Sequence, residues 1–331
     1  MNNILIIRFS SLGDVVMATA VVEALHQRFP LAHISFLTKN NYTGIFNDDK
    51  RISRVIGIND HEHPNDIIRL LGNAPFDAVV DLHSSLRSRM VTFGIKSSMK
   101  LRVTKHSFLR RLMVWSRLKY RRTFDVLGSY LQTVAPLGIT EKTLPRLIPS
   151  SEAMRKVEKL FGEWDKKVIG FAPGAKHPMK RWNEVSYAHL ADEVSRLGYL
   201  PLFIGDTNDS WVIGRIRGQM EEKSQSLAGR INLAETVSLM THFSCLVTND
   251  SGPMHLAGAL NVPFVAIFGP THPDLGFVPG YLSEKIIHSG VACSPCSVHG
   301  EKPCRMPERF CMDMVSWEMV LKEVTNLSGR K

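Results

Sequence analysis

Short apolar runs separated by helical stretches recur along this chain in two series, and no other feature narrows its fold as far. In the first series residues 3–9, 33–37, 54–58 and 76–82 read as strands. Each is apolar on both faces or nearly so, the pattern of a parallel strand covered on two sides. Residues 15–29 carry the spacing of an amphipathic helix, 40–46 and 65–71 are helical, and a helix over 124–137 closes the series. The second series has strands at 167–172, 199–204, 225–229, 243–248 and 262–268, with helices at 184–197 and 233–242 and another beginning after Ser251. Residues 142–151, with Pro145 and Pro149, read as a linker. A chain of 331 residues suits two cores of about 150 residues each. The expectation is α/β throughout: a domain over 1–150, a second over 151–315, and a terminal segment 316–331 whose helix spans 317–327.

Composition excludes several classes. With 44% hydrophobic and 22% charged residues the chain is globular, and no apolar run approaches the ~18 residues of a membrane span. Residues 1–7 lack a basic leader and Arg8 interrupts the apolar run, so no secretory signal is expected and the expected compartment is the cytoplasm. The formal charge is +10, but it is concentrated. Between Leu82 and Phe124 there are twelve Lys or Arg and no Asp or Glu. Such a segment seeks an acidic partner: a phosphorylated glycan, an anionic lipid surface or nucleic acid. Its centre, residues 106–122, mixes Phe108, Trp115 and Tyr120 with Arg110, Arg111, Arg117, Arg121 and Arg122. That mixture suits an interfacial helix on an anionic inner-membrane surface. No RNA-recognition module accompanies it, so nucleic acid is not expected.

The loops at the strand ends carry the chemistry. Ser10-Ser11-Leu12-Gly13-Asp14 joins the first strand to its helix without the G-x-G-x-x-G of a dinucleotide site. Asp14 falls at the helix N-terminus, where a carboxylate is held as the anion, and a plain capping role accounts for it equally well. His83-Ser84-Ser85-Leu86-Arg87-Ser88 follows the fourth strand. In the second half the strand ends present Pro173-Gly174-Ala175 with Lys180-Arg181-Trp182, then Gly205-Asp206-Thr207-Asn208-Asp209, then Asp250-Ser251-Gly252-Pro253-Met254-His255. Lysine for phosphate charge, an acid for ribose hydroxyls and free amides at a helix start are the parts of a nucleotide-diphosphate site. The G-x-x-x-x-G-K-[ST] of an ATPase is absent. Cys245 lies in a core strand. Cys293, Cys296, Cys304 and Cys311 follow in a proline-rich stretch, where four thiolates would suffice for a structural zinc although the later spacing matches no standard finger. Free thiols with local packing are the alternative.

Taken in order, Ser10-Ser11-Leu12-Gly13-Asp14, Pro173-Gly174-Ala175 with Lys180-Arg181-Trp182, Asp250–His255 and Phe268-Gly269-Pro270-Thr271 resemble glycosyltransferase family 9, which includes the ADP-heptose–lipopolysaccharide heptosyltransferases. The cysteine stretch is similar to that of a subset of the family. The resemblance implies a GT-B fold, two facing Rossmann-like domains with parallel sheets, the acceptor on the first and the nucleotide sugar on the second. It implies a C-terminal helix that packs back toward the first domain. It also implies inverting transfer from an ADP-sugar, with no cofactor required, to a phosphorylated, lipid-linked lipopolysaccharide core at the cytoplasmic face of the inner membrane. Asp14 becomes the general base and Lys180 the phosphate-binding cation. Asp250, Ser251, Gly252, His255, Gly174 and Arg181 join the donor site, with Asp209 at the ribose. Ser11, Gly13 and Arg87 fall on the acceptor side. A GT-B transferase for another nucleotide sugar or acceptor, a GT-B epimerase, and a basic nucleotide- or RNA-binding protein without catalysis are the other readings of the same residues.

Overall fold

The computed structural model describes residues 1–116, 124–161 and 165–329. The chain divides into two compact units, Met1–His106 with Asp125–Ser150, and Ser107–Phe124 with Ser151–Lys331.

The first unit is built on β1 (Asn3–Ile7), α1 (Leu12–Arg28), β2 (His33–Lys39), β3 (Arg54–Ile58), α2 (Pro64–Leu71), β4 (Phe76–Asp81), α3 (Leu86–Gly94) and β5 (Ser97–Arg102). Its strands are all parallel in the order β3-β2-β1-β4-β5. The central strands are covered on both sides: Ile4, Leu5, Ile6 and Ile7 are fully buried, as are Ala78, Val79 and Val80. Such strands tolerate no alternation, which is why they stand out as continuous apolar runs. The chain leaves β1 toward one side of the sheet and β4 toward the other. The loops after these two neighbours therefore flank the topological switch point, where open α/β sheets bind ligands.

The segment between β5 and the next helix of the first unit is counted with the second unit, unlike the expected boundary at 150. It carries α4 (Ser107–Ser116), whose buried residues Met113 and Val114 cluster with Leu275 and with the partly buried Phe124, Phe277 and Val298. After it α5 (Val126–Val134) returns to the first unit and packs on α1.

The second unit continues with α6 (Ser151–Phe161), β6 (Val168–Ala172), α7 (Glu184–Arg196), β7 (Leu200–Phe203), α8 (Ser210–Arg217), β8 (Gln225–Ser226) and α9 (Leu233–Met240). It is completed by β9 (Phe243–Asn249), α10 (Gly252–Ala259), β10 (Phe264–Phe268), β11 (Glu284–His288), α11 (Phe310–Asp313) and α12 (Trp317–Ser328). Its parallel sheet has the order β11-β10-β9-β6-β7-β8. Here β6 and β9 are the neighbours at the switch, so the loops after them meet at the carboxyl edge. The terminal helix α12 was expected to return toward the first domain. Its buried face, Val320, Val324 and Leu327, lies in the core of the second unit with residues of α7 and β9.

Candidate active site

In the first unit the loop after β1 delivers Asp14 to the first turn of α1. Ser11 precedes that helix, and its backbone N–H and Oγ both donate to Asp14 Oδ2, at 3.1 and 2.7 Å. The first of these, with the Asp14 backbone N–H donating back to the Ser11 side chain, makes the reciprocal cap that a serine followed three residues later by an acid can form. The carboxylate does more than cap. Arg8 Nη2 stands 2.6 Å from Oδ2, and the Tyr130 hydroxyl on α5 donates to Oδ1 at 3.1 Å. The Arg8 side chain is 8% exposed and that of Asp14 is 19% exposed, so this is a largely buried ion pair. Arg8 Nη1 also donates to Leu82 O at 2.6 Å, tying the loop after β4 to the same cation. Burial opposes the Arg8 charge, yet Asp14 and its neighbours hold the guanidinium above its usual range.

Around this pair the environment is cationic. His83 packs against Phe9 with ring centroids 4.8 Å apart and the ring planes tilted by 49°. Burial, reinforced by Arg8 and Lys105, pushes its imidazole down to about 3, so His83 is neutral. Lost hydration and the Arg8 charge likewise lower the Lys105 ammonium. Asp81, fully buried at the end of β4, accepts from the backbone N–H groups of His83 and Ser84 and from Ser88 Oγ, which makes it the anchor of this turn.

Of the acceptor-side candidates, Ser11 is exposed and engaged with Asp14, and Gly13 is buried in the first turn of α1. Arg87 lies in the first turn of α3. Its guanidinium donates to Asp60 O and Asn59 O, both at 2.8 Å, and lies over the Phe9 ring at 5.4 Å. It fastens α3 to the loop after β3 with two of its five N–H donors.

In the second unit the loops after β6 and β9 are stitched together. Asn249 Nδ2 donates to Pro173 O at 2.8 Å, and Asn249 Oδ1 accepts from Trp182 N at 3.0 Å. This seats Lys180 over the start of α10. Lys180 Nζ lies 2.6 Å from Asp250 Oδ2 and donates to Asp250 O at 2.9 Å. Burial would push the Asp250 carboxyl up. Lys180 outweighs it, with help from the Thr271 hydroxyl that donates to Oδ2 at 2.6 Å, and the carboxyl sits below its usual range. One of the three ammonium protons of Lys180 remains for a ligand. Gly300, at φ +81°, presses on the lysine stem: a Cβ there would sit 2.6 Å from Lys180 Cγ. The loop within the cysteine stretch thus buttresses the cation.

Ser251 caps the start of α10 and hydrogen-bonds locally, its Oγ 3.3 Å from both Asn249 O and Thr248 Oγ1. Pro253 in the first turn has no N–H to give, so Ser251 and Gly252 supply the backbone amides at the start of α10. His255 is 5% exposed, with its ring edge-on to Tyr281, deeper than a surface donor would be. Gly174 lets Asp209 approach the loop after β6, since a Cβ there would fall 2.2 Å from the Asp209 carboxylate. Burial and then Asp206 raise the Asp209 carboxyl, which accepts from Asp206 N at 3.2 Å. Arg181 follows Lys180 in the same loop. Its Nε and Nη2 donate to Ala175 O at 3.2 and 3.1 Å and the guanidinium lies over Trp211, so it clamps the loop.

The remaining expectations fare unevenly. Cys245 is fully buried in β9, as its strand context required. Cys296 Sγ points to Pro270 O and Cys304 Sγ to Glu308 O. Cys311 is buried, and burial followed by the nearby Cys296, Cys293 and Cys304 pushes its thiol up to about 11. Among the described residues no group of three or more His, Cys, Asp or Glu side chains is arranged to hold a metal, so a structural zinc is not supported. In the basic segment, Arg110 is packed between Phe124 and Phe277 and donates to Leu275 O at 3.0 Å, whereas Arg111 is exposed. Arg117, Lys119, Tyr120, Arg121 and Arg122 lie outside the described residues. Among those described, no helix is long and apolar enough to cross a membrane.

The partners that sequence reasoning missed are Arg8, Tyr130, Asn249 and Thr271. A basic residue at the end of a buried strand was the visible signal for Arg8, and membership of the Phe268-Gly269-Pro270-Thr271 motif was the one for Thr271; Tyr130 carries none.

Known proteins share this layout. Lipooligosaccharide heptosyltransferase 2 of Haemophilus influenzae is 28% identical over 310 residues, 82% of this chain and 84% of that protein. The solved glycosyltransferase family 9 structure from Veillonella parvula superposes with a TM-score of 0.82 at 24% identity, covering 100% of this chain and 98% of that one. The E. coli ADP-heptose lps heptosyltransferase II gives a TM-score of 0.77 at 24% identity, with 100% and 99% covered. The expected fold class holds: GT-B, with two Rossmann-like units on parallel sheets. Residues 65–308 match the model of glycosyltransferase family 9 (heptosyltransferase), so the chain belongs to that family and is a glycosyltransferase.

Proposed function

We propose that the enzyme transfers heptose from ADP-heptose, with inversion, to a phosphorylated lipopolysaccharide core acceptor at the cytoplasmic face of the inner membrane. The observation that carries this reading is the second switch point, where Lys180 and the open amides of α10 converge at the end of β9. A helix start and a lysine with a spare proton suit a leaving diphosphate, and they supply positive potential without a divalent cation. Asp209, held against Gly174, is placed for ribose hydroxyls. The relatives named for heptose transfer, one of them an ADP-heptose enzyme, support the donor.

Asp14 is the base. Ser11 and Arg8 hold its Oδ2 and the Tyr130 hydroxyl holds its Oδ1, so the carboxylate is fixed in one orientation by groups from two segments of the chain, the loop after β1 and α5. A carboxylate oxygen has lone pairs for more than one hydrogen bond, and Oδ1 is the atom assigned to the acceptor hydroxyl. In the reaction the acceptor oxygen forms a bond to the anomeric carbon from the face opposite the nucleotide. Its proton passes to Asp14, the bond from anomeric carbon to phosphate oxygen breaks, and ADP leaves with the electron pair. Neutral His83 and the cations Arg8 and Lys105 leave the surroundings suited to an anionic acceptor.

The test is release of ADP from ADP-heptose by the purified protein, with and without a lipopolysaccharide core acceptor, and with EDTA. Acceptor-dependent release that survives EDTA is expected. Release from UDP- or GDP-sugars but not from ADP-heptose would overturn the donor assignment, and loss with EDTA in folded protein would overturn the metal-free one.

A further inference from the structure

We propose that the outward face of α3 is the surface by which the first unit seats on an anionic lipid bilayer. The inference deepens the functional reading above and rests on its lipid-linked acceptor. At 100° per residue, Leu86, Arg89, Met90 and Phe93 fall within an arc of about 100° on α3. All four are exposed: Phe93 by 87%, Leu86 by 79% and Met90 by 46%. The opposite face, Ser88, Val91 and Thr92, is buried. The usual arrangement is reversed, with the larger apolar side chains of this helix facing water and two small polar ones facing the core. Isolated exposed apolar residues are common, but a stripe on one helix face marks a contact surface.

The rim says what the surface contacts. Arg89, Lys96 and Lys100 are exposed beside the stripe, and the Lys100 ammonium, 5.9 Å from the Phe93 ring, donates to Phe93 O. No acid occurs between Leu82 and Phe124. The preceding acids are occupied or covered: Asp77 accepts the backbone N–H groups of Asn2 and Asn3, and Asp81 is fully buried. A two-fold contact with a second copy would set Arg89, Lys96 and Lys100 against themselves, a like-charge arrangement that disfavours a dimer. An anionic bilayer meets both demands, taking Leu86, Met90 and Phe93 among the acyl chains and the cations at the headgroups. The position fits as well. Leu86 opens α3 just beyond β4, and the next residue, Arg87, lies over Phe9 in the loop that leads to Asp14. A sugar chain rooted in the bilayer would be presented at the carboxyl edge of the first sheet.

The experiment measures partition of the full chain onto vesicles containing phosphatidylglycerol and onto vesicles of phosphatidylcholine alone. Wild type should bind the anionic vesicles. The variant Leu86→Ser/Met90→Ser/Phe93→Ser should bind roughly tenfold less or weaker still, with its melting temperature and ADP affinity unchanged. Arg89→Gln/Lys96→Gln/Lys100→Gln should lose the salt-sensitive part of binding. Equal partition of wild type and the serine variant would overturn the proposal. So would a wild type that ignores anionic vesicles, or one that is dimeric in solution and made monomeric by the serine substitutions. A wild type that ignores vesicles yet transfers heptose to detergent-dispersed acceptor removes the docking surface alone. One that docks but releases no ADP from ADP-heptose removes the functional reading alone.

Discussion

Replacing Asp14 by Asn tests the proposed base, but the structure makes the experiment less simple than a change of protonation. Asn keeps the size, and its one amide oxygen can still accept from Ser11 while its NH2 takes the place of Oδ1 and donates toward the Tyr130 oxygen. It cannot neutralise Arg8, whose side chain is 8% exposed and whose Nη2 lies 2.6 Å from Asp14 Oδ2. Removing one partner of a buried pair costs about 3–5 kcal/mol, and the 19% exposure of Asp14 points to the lower end, roughly 3 kcal/mol. Asp14→Asn should therefore lose stability as well as about 10²–10⁴-fold in turnover, the range of a general base. The double variant Arg8→Met/Asp14→Asn removes both charges and should be more stable than Asp14→Asn alone, because no uncompensated cation remains. Its turnover should stay low. Urea denaturation supplies the stabilities, ADP release from ADP-heptose with acceptor supplies turnover, and ADP affinity monitors the other unit. Recovery of turnover together with stability in the double variant would show that Asp14 only balances Arg8. Near-wild-type turnover in Asp14→Asn itself would place the base elsewhere.

Lys180→Ala should weaken ADP binding by about 1.5–3 kcal/mol, or about 10- to 150-fold, as measured by calorimetry. It should also reverse a pH effect. In wild type Lys180 holds the buried Asp250 carboxyl below its usual range, so that contribution to stability is present above about pH 4 and is lost as pH falls through the lowered value. Without Lys180 burial prevails, the carboxyl rises, and acid should stabilise that site; denaturation curves from pH 3 to 7 that are parallel for the two proteins would refute the pairing. Gly300→Ala must adopt φ +81° and push against Lys180 Cγ, so it should cost about 1–2 kcal/mol from the backbone alone and weaken ADP binding besides. Unchanged ADP affinity there would separate the cysteine stretch from the donor site.

Much of the fold is legible in the order of the residues alone. The runs at 3–9, 76–82, 243–248 and 262–268 correspond to β1, β4, β9 and β10, because a strand buried on both faces must be apolar at every position. The edge strands are not legible. In β5 Ser-Ser-Met-Lys-Leu-Arg lies mostly exposed, and β11 carries Glu284, Lys285 and His288, so neither shows a run or a clean alternation. The expected strand at 225–229 shrinks to Gln225–Ser226 at the other edge, where one neighbour is all that holds it.

The site divides in the same way. Lys180 and Asp250 stood out as motif members, each recognisable from a strand end and the loop behind it. That they pair with one another, 70 residues apart, follows only from β6 and β9 becoming neighbours in the sheet. Tyr130 reaches Asp14 across 116 residues, and Arg110 donates to Leu275 O, 165 residues on, between two aromatic rings. Arg87 and Arg181, read as ligand-binding cations, each donate to backbone carbonyls of distant or looped segments, which their sequence context does not show. A charged residue in a loop announces that it needs a partner, and local sequence ends there. Whether a carbonyl, a carboxylate or a substrate fills that need depends on which distant segments chain crossing brings within about 3 Å, and only the tertiary structure makes that choice.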